Sequence, residues 1–286
     1  MECVLITGGT EGLGKASSLL LAAEGYRVFA GGRNAAKRAA LDAEAKQKNL
    51  PLQSLEMDVT DDASVDRAIG TIHEEAGPVD ILINNAGIAF AAVIEEITIE
   101  DFRKQFETNF FGIVRVTQRV LPSMRERRRG RIINMSSVAG KMSSPVLGPY
   151  SSSKFAVESM SDALRIELLP FGVHVILIEP GYIRSDMERV AQELSSKYVL
   201  GAEKSAYGPV YAGFQRGWGE LTKGSKYTPE DCARVILGAI RAQSPRARYP
   251  VTREAKIVTF LRRIMSDRAL DRMVAKSYHI PRAENP

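Results

Sequence analysis

Cysteine and histidine are scarce in this chain of 286 residues, which has two of the former and three of the latter. Cys3 and Cys232 stand far apart, so we expect reduced, buried thiols and no disulfide framework. His73, His174 and His279 are also far apart and lack the spacing of metal ligands. The sequence therefore predicts no metal site.

Long apolar runs and targeting segments are lacking as well. No stretch approaches the ~20 apolar residues that a membrane-spanning helix needs. Residues 1–6 have no basic region and lead directly into a glycine-rich turn, so we interpret them as a core strand and expect no signal peptide. These absences predict a cytoplasmic protein.

The excess of basic over acidic residues, 39 to 34, is confined to the end of the chain. From Arg246 onward there are ten Lys or Arg and four Asp or Glu, a local charge of +6, so the first 245 residues carry about −1 (+5 − 6). Outside this tail no basic surface interleaved with aromatic residues emerges, and we do not expect nucleic acid as a partner.

A glycine-rich turn follows the first apolar strand, which covers residues 4–7, and precedes a helix predicted from about Lys15 to Glu24. Gly8 allows a tight turn, Gly12 lets the backbone approach a pyrophosphate, and Gly14 permits close packing of helix on strand. Together they predict a phosphate cradle for a dinucleotide. The loop residues predicted to contact it are Gly8, Thr10, Glu11, Gly12, Leu13 and Gly14.

The end of the second strand bears on the choice between NAD and NADP. An acidic residue here holds the ribose 2′-hydroxyl in NAD sites, but Gly32 occupies the place and Arg33 follows. A guanidinium group with no carboxylate beside it favours a 2′-phosphate, and hence NADP(H) as cofactor. The alternative is that Arg33 is a solvated surface residue.

Two further strand ends carry candidate cofactor contacts. Asp58 and Val59 follow the third strand, where the carboxylate could accept a hydrogen bond from the adenine amino group. Alternatively, Asp58 or Thr60 caps the helix predicted over 61–76. After the fourth strand, small residues let a cofactor lie flat while asparagine side chains tie neighbouring strands together. The candidate contacts there are Asn85, Ala86 and Gly87.

Tyr150 and Lys154 are four residues apart, and on a helix their side chains share one face. A free tyrosine titrates near ~10, but a lysine ammonium beside it favours the phenolate and moves its pKa toward the working range. Ser137 follows a buried strand predicted over 131–136, at the edge where open α/β sheets bind ligands. A surface Tyr and Lys would explain the pair alone, but the preceding motifs favour catalysis.

Asn109 lies within a helical stretch predicted over 102–124, where asparagine is an unfavourable residue. A compensating role is therefore expected. The side chain could bend the helix and hold a water near Lys154, which would link the site to solvent.

Six or seven apolar strands alternate with helical stretches, without repeats or a clear linker. This alternation predicts an α/β fold, a Rossmann-type doubly wound parallel sheet of about seven strands with helices on both faces. Residues 248–251 are expected to form the last edge strand. We expect a catalytic, dinucleotide-binding domain over residues 1–250 and a C-terminal helical extension over 251–286.

The motifs resemble those of the short-chain dehydrogenase/reductase family, in its single-domain form, over about residues 1–250. The resemblance implies a catalytic tetrad of Asn109, Ser137, Tyr150 and Lys154. It also implies nicotinamide contacts at Pro180, Gly181, Ile183 and Ser185, of which Ser185 is the nearest hydroxyl to a position where many relatives have Thr. Residues 169–175 and 245–249 are similar to the branch of 17β-hydroxysteroid dehydrogenase type 1 and related retinol and lipid ketoreductases.

Three variable stretches, 88–93, 138–148 and 182–227, are expected to form the substrate site, the last as a glycine-rich lid. Their large apolar side chains indicate a lipophilic ketone, aldehyde or alcohol of steroid, retinoid or acyl-lipid type. Ordinary packing or a subunit contact is the alternative for each side chain. The predicted substrate contacts are Phe90, Ser137, Met142, Val146, Leu147, Tyr150 and Met187.

The resemblance thus implies an NADP(H)-dependent oxidoreductase acting on CH–OH groups (EC 1.1.1), in which Tyr150 is the general acid and base. A non-catalytic NADPH-binding sensor or scaffold would be expected to have a broken tetrad. A sugar-nucleotide epimerase or dehydratase generally has a Gly-x-x-Gly-x-x-Gly turn, whereas this chain has the Gly-x-x-x-Gly-x-Gly form.

The basic tail has apolar residues at helical spacing, among them Ile257, Phe260 and Ile264, and predicts one or two amphipathic helices with basic outer faces. Docking on the sheet domain is the default expectation, and peripheral contact with an anionic membrane is the alternative. The resemblance also implies a homodimer or homotetramer.

Overall fold

The computed structural model describes residues 1–281, which fold into a parallel sheet between two layers of helices. The strands are β1 (Cys3–Thr7), β2 (Arg27–Gly32), β3 (Leu52–Glu56), β4 (Ile81–Asn84), β5 (Gly130–Met135), β6 (Val173–Glu179) and β7 (Arg248–Pro250). The helices are α1 (Gly12–Ala23), α2 (Ala35–Gln47), α3 (Asp62–Ala76), α4 (Ile99–Phe106), α5 (Gly112–Glu126), α6 (Gly148–Glu167), α7 (Met187–Val199), α8 (Gly208–Lys223), α9 (Pro229–Arg241), α10 (Arg253–Ile264) and α11 (Asp267–Ser277).

The strand order is β3-β2-β1-β4-β5-β6-β7, and every neighbouring pair is parallel. The order reverses between β1 and β4, which is the place where doubly wound sheets bind their ligands. The predicted fold class is therefore confirmed. The edge strand expected near residue 248 is confirmed as β7, which pairs with β6.

Alternate residues of each strand pack against helices on opposite faces of the sheet, as the period of two requires. On β1, Val4 and Ile6 pack in the core formed with α1, α2 and α9, whereas Leu5 packs with α3 and α5. Both faces are thus covered, and the strands are accordingly near-continuous apolar runs. Cys3 and Cys232 are buried free thiols, and burial raises the pKa of each to about 12.

Two helix starts differ from the sequence prediction. α1 begins at Gly12, three residues before the predicted Lys15, so the glycine turn itself forms the start of the helix. α3 is capped by Asp61, whose carboxylate accepts a hydrogen bond from Ala63 N at 2.9 Å. Neither Asp58 nor Thr60 is therefore the capping residue. Asp58 instead accepts hydrogen bonds from the backbone and hydroxyl of Thr60.

The C-terminal extension packs on the sheet domain through α10, which contacts β7, and through Tyr278, which is buried. Residues 282–286 of the predicted extension lie outside the described residues. Within the described part of the chain, none of the helices is both long and apolar enough to cross a bilayer.

Candidate active site

The glycine turn between β1 and α1 has the conformation that a phosphate cradle requires. Gly8 and Gly12 have φ values of +61° and +52°, which residues with a Cβ atom rarely adopt. A Cβ atom on Gly14 would lie 2.1 Å from the carbonyl oxygen of Gly8, so a side chain there would push the helix off the strand. The residues present therefore fit a dinucleotide at the N-terminus of α1.

Buried amide side chains hold the strand ends around this cradle. The Asn85 amide donates to the carbonyl oxygens of Thr7 and Gly8 at 3.0 Å, which ties β4 to the glycine turn. The Asn84 amide donates to Asn134 Oδ1 at 2.9 Å, and Asn134 in turn donates to Ser161 Oγ on α6 at 2.9 Å. The predicted tie between strands is therefore present, and it extends to the helix that carries Tyr150.

A cleft runs from the glycine turn to the turn after β4 and brings together predicted cofactor contacts from four strand ends. Met57, Ile88 and Thr108 also line this cleft, and the sequence analysis did not identify them as contacts. The lining residues are Gly8, Thr10, Glu11, Gly32, Arg33, Asn34, Met57, Asp58, Val59, Ala86, Gly87, Ile88 and Thr108.

The end of β2 leaves no room for an acidic side chain. A Cβ atom on Gly32 would lie 2.5 Å from Thr10 Oγ1, so the place that a ribose-binding carboxylate would take is filled by Thr10. Arg33 is largely exposed and spans the cleft toward Asp58, with 3.7 Å between its Nη1 and the Asp58 Oδ2. The guanidinium group thus has one carboxylate nearby, contrary to the prediction.

Lys37, which the sequence analysis missed, forms an ion pair with Glu11 of the glycine turn. The sequence feature that could have identified Lys37 is its position in the first turn of α2, three residues after the capping residue Asn34. Each of the two acidic groups in the cleft, Glu11 and Asp58, therefore has a cation beside it. This pairing reduces the repulsion that an anionic ligand would meet.

Tyr150 and Lys154 lie on the same face of α6, as their spacing predicts. The Lys154 Nζ atom is 5.6 Å from the centroid of the Tyr150 ring and donates to the carbonyl oxygen of Met135 at 2.7 Å. Ser137 lies two residues after the end of β5, with its hydroxyl near the Tyr150 hydroxyl. The structure thus brings three of the four tetrad residues together at the carboxyl edge of the sheet.

The protonation of this pair differs from the sequence prediction. Burial raises the pKa of Tyr150 above its usual range, although the nearby Ser137 hydroxyl opposes the shift. The prediction that Lys154 moves this pKa downward is therefore wrong for the protein by itself. The ammonium is directed at Met135, and burial lowers the pKa of Lys154 to about 8, against the attraction of Glu158.

Asn109 lies in a π-helical turn, Glu107–Phe111, which interrupts the predicted continuous helix between α4 and α5. Its side chain is fully buried and bonds to both backbone groups of Ile88, at 2.8 and 2.9 Å. The same amide donates to Ser153 Oγ at 3.1 Å, next to Lys154 on α6. Asn109 therefore contacts the catalytic helix through Ser153 and does not touch Lys154 directly.

A buried group of charges lies behind the turn that carries Ser137. Glu158, one helical turn beyond Lys154, accepts a hydrogen bond from Ser136 Oγ at 2.5 Å and pairs with Lys141 and Arg248. Glu179 is buried beside this group, and burial together with the negative charge of Glu158 raises its pKa. These contacts fix the segment between β5 and α6 on both sides of Ser137.

The loop after β6 lies against the cradle. Gly181 is packed on Thr252, since a Cβ atom there would lie 2.3 Å from Thr252 Oγ1. Ser185 lies beside Gly12, since a Cβ atom built on Gly12 would be 3.6 Å from the Cβ atom of Ser185. Pro180 accepts hydrogen bonds from the Ser137 segment, and Ile183 is buried in the core.

The predicted substrate residues divide between two apolar clusters. Val146 and Leu147 lie in one cluster, and Val146 has a φ of +66°, a strained conformation for a β-branched residue. Phe90 is buried in another cluster with Tyr198, so the structure does not bring it together with Val146. Met142, in the loop between β5 and α6, and Met187, the first residue of α7, are both partly buried.

The C-terminal segment completes the first of these clusters, which the sequence analysis did not foresee. Tyr278 stacks on Phe214 of α8, with 5.5 Å between ring centroids, and its hydroxyl lies near Ser144, in the loop before Tyr150. Cβ atoms on Gly213 and Gly217 would lie 2.5 Å from backbone oxygens of Tyr278 and Ser277. Glycine at these two positions therefore permits close approach of the tail.

The lowered pKa of Lys154 predicts a pH dependence of the free energy of unfolding. The unfolded chain binds a proton here up to a pKa near 10.5, so this residue makes the free energy of unfolding rise between pH 8 and 10.5, by about 3 kcal/mol in total. Urea unfolding of Lys154→Met across this range should therefore show a flatter pH dependence than the wild type. The surface substitution Lys46→Met should follow the wild type, and parallel curves for Lys154→Met would contradict the assignment.

Comparison with known proteins agrees with the geometry of the site. The family model described as short chain dehydrogenase matches residues 2–195. The NADPH-dependent 3-dehydrocapnine reductase of Ornithobacterium rhinotracheale is 36% identical over 282 residues, which cover 96% of this chain and 97% of that protein. The 3-ketodihydrosphingosine reductase of Bacteroides thetaiotaomicron is 41% identical over 180 residues, 63% of each chain.

Among solved structures, an actinorhodin polyketide ketoreductase with NADPH superposes with a TM-score of 0.75 and 29% identity, over 87% of this chain and 95% of that one. Sequence, strand order and site geometry therefore agree. The chain belongs to the short-chain dehydrogenase/reductase family of oxidoreductases.

Proposed function

We propose that the protein is an NADP(H)-dependent oxidoreductase that interconverts a lipophilic ketone or aldehyde and its alcohol. The observation that carries the proposal is the position of Tyr150, beside Ser137 and on one helix face with the buried Lys154, at the sheet edge that carries the glycine cradle. The presence of all four tetrad residues disfavours a non-catalytic sensor. The form of the glycine turn disfavours an epimerase of the longer branch.

Each tetrad residue has a distinct task in this proposal. A bound NADP(H) supplies the hydride chemistry and, when oxidised, a positive ring near the phenol. Ser137 donates a hydrogen bond to the substrate oxygen, and Tyr150 donates its proton to that oxygen during reduction. Lys154 binds the nicotinamide ribose, while Asn109 keeps α6 and the π turn in place through Ser153.

Tyr150 is able to donate a proton near neutral pH, because burial raises the pKa of a phenol that already titrates near ~10. A phenol whose pKa lies above its usual range stays protonated and is ready to donate. Oxidation of an alcohol needs the phenolate instead, which forms only when pH rises or when a positive charge comes close.

Three features support NADP over NAD. Gly32 leaves no space for the ribose-binding carboxylate, and Arg33 offers an exposed guanidinium group at the same strand end. The ion pair of Lys37 with Glu11 removes a repulsive charge from the cleft. One relative is named for its dependence on NADPH.

The apolar cluster around Val146, Leu147 and Phe214 supports a lipophilic substrate. One relative is named as a reductase of 3-ketodihydrosphingosine, and sphingosines are lipids. Exposed Phe111 and Phe155, in the π turn and on α6, support association into a homodimer or homotetramer.

The Tyr150→Phe variant should lose turnover by about 10³-fold, because the phenol that donates the proton is removed. Binding of NADPH, followed by its fluorescence, should survive. The matched control is Tyr26→Phe, at the opposite, amino-terminal edge of the sheet, which should keep full activity. Retention of most activity by Tyr150→Phe would disprove the acid–base assignment.

The Arg33→Gln variant should raise the KM for NADPH about tenfold, because one charge-assisted hydrogen bond to the 2′-phosphate is lost. The KM for NADH should stay unchanged, so each cofactor serves as the control for the other. Steady-state rates with both cofactors test this directly. An equal rise for both would show that Arg33 acts on the fold of the cleft and not on the phosphate.

A homologous series of ketones tests the substrate class. The value of kcat/KM should rise roughly threefold for each added methylene until the apolar cluster is filled. A hydrophilic sugar ketone with the same carbonyl environment is the control and should react poorly. A preference for the sugar ketone would overturn the lipophilic assignment while leaving the oxidoreductase assignment in place.

A further inference from the structure

Helix α10 exposes its apolar face. Ile257, Phe260 and Ile264 are three and four residues apart, which places them on one side of the helix, and they are 46%, 59% and 63% exposed. The opposite side is marked by Ala255, which is fully buried. The expectation that these apolar residues pack on the sheet domain is therefore wrong for all three.

The orientation of α10 is fixed at its first turn. Thr252 is buried, caps the helix by accepting a hydrogen bond from Ala255 N at 3.1 Å, and packs against Gly181. The backbone N–H of Arg253 donates to the hydroxyl of Tyr227 at 2.9 Å. A rotation that buried Phe260 would break these contacts, so the apolar face belongs to the surface of the folded chain.

Basic side chains border this face. Arg253, Lys256 and Arg263 are exposed, and no carboxylate of residues 1–281 lies within ion-pair distance of them. Arg262 pairs with Asp267 at 2.6 Å. From residue 253 to 268 there are five basic and two acidic residues, a local charge of +3 (5 − 2).

We propose that α10 docks the protein on an anionic lipid bilayer. Ile257, Phe260 and Ile264 insert between the acyl chains, and Arg253, Lys256 and Arg263 lie at the level of the lipid phosphates. An exposed apolar stripe with a basic border is the arrangement that binds such surfaces, because burial of apolar area and attraction to anionic headgroups add together. The benefit to catalysis rests on the proposed function, since a lipophilic substrate is concentrated in the bilayer.

A second copy of this chain fits the face less well. In a two-fold symmetric contact the same patch meets itself, which would bring the two sets of Arg253, Lys256 and Arg263 together. The like charges would repel each other at the rim of the contact. One exposed helix face is also small beside the ~800 Å² that each partner of a stable protein interface buries.

The chain offers a matched control for apolar exposure. Ile166 and Leu169, at the end of α6, are 65% and 73% exposed, which is as much as the residues of α10. The neighbouring Arg165 is paired with Asp162 at 2.7 Å. This second patch therefore has comparable apolar exposure, and two of its neighbouring arginines are already engaged, Arg165 by Asp162 and Arg128 by the carbonyl oxygen of Pro170, each at 2.7 Å.

Co-sedimentation of the full-length protein with vesicles tests the proposal. Vesicles of phosphatidylglycerol and phosphatidylcholine in equal parts are compared with vesicles of phosphatidylcholine alone. The wild type should bind the anionic vesicles and bind the neutral ones weakly. The triple variant Ile257→Ser, Phe260→Ser, Ile264→Ser should lose about tenfold in partition coefficient. The variant Arg253→Gln, Lys256→Gln, Arg263→Gln should lose about as much, on the anionic vesicles only.

The control variant Ile166→Ser, Leu169→Ser should bind the anionic vesicles like the wild type. Equal loss by this control, or wild-type binding by the α10 serine variant, would overturn the proposal. Sedimentation velocity without lipid is the second readout, because a fall in mass of the serine variant would assign the face to a contact between copies.

Turnover of a water-soluble ketone separates this inference from the proposed function. The α10 variants should keep the wild-type rate in solution, because the substitutions lie outside the active site. Loss of vesicle binding with unchanged turnover supports docking. Absence of turnover with every ketone in the wild type would overturn the proposed function and leave the vesicle result to stand by itself.

Discussion

The active site depends on buried amide side chains that hold strand ends and a helix at fixed distances. Asn85 bonds to the glycine turn, Asn84 reaches Asn134 in the next strand, and Asn134 reaches α6. The Asn109 amide also donates hydrogen bonds to the carbonyl oxygen of Ile88 and to Ser153 on α6. Because a buried amide that loses its partner is costly, the cradle and the catalytic helix keep their spacing. Tyr150 therefore keeps its position relative to the glycine turn, several strands away.

The features that local physics determines were predictable from the sequence. Positive φ values leave glycine as the favoured residue at Gly8 and Gly12, and a spacing of four places Tyr150 and Lys154 on one helix face. Runs of apolar residues likewise predicted the strands, and their alternation with helices predicted the doubly wound sheet. Each of these sequence patterns spans only a few residues, so it can be interpreted without knowing the structure of the rest of the chain.

Contacts between distant segments were not predictable in the same way. The pair of Lys37 and Glu11 joins α2 to the glycine turn, and Tyr278 reaches a loop more than a hundred residues earlier in the chain. Asp58, Thr60 and Asp61 are all good capping residues, and only the path of the chain into α3 selects Asp61. The pKa of Tyr150 also depends on burial and on the direction of the Lys154 ammonium, neither of which a spacing reveals.

The glycine contacts of α8 have a consequence for how the protein is made. Ser277 and Tyr278 lie on Gly213 and Gly217, so the apolar cluster includes residues that follow every strand of the sheet in the chain. During synthesis the sheet can therefore form before this cluster is complete. The nascent chain acquires its glycine turn first and the full apolar cluster only after α11 has been made.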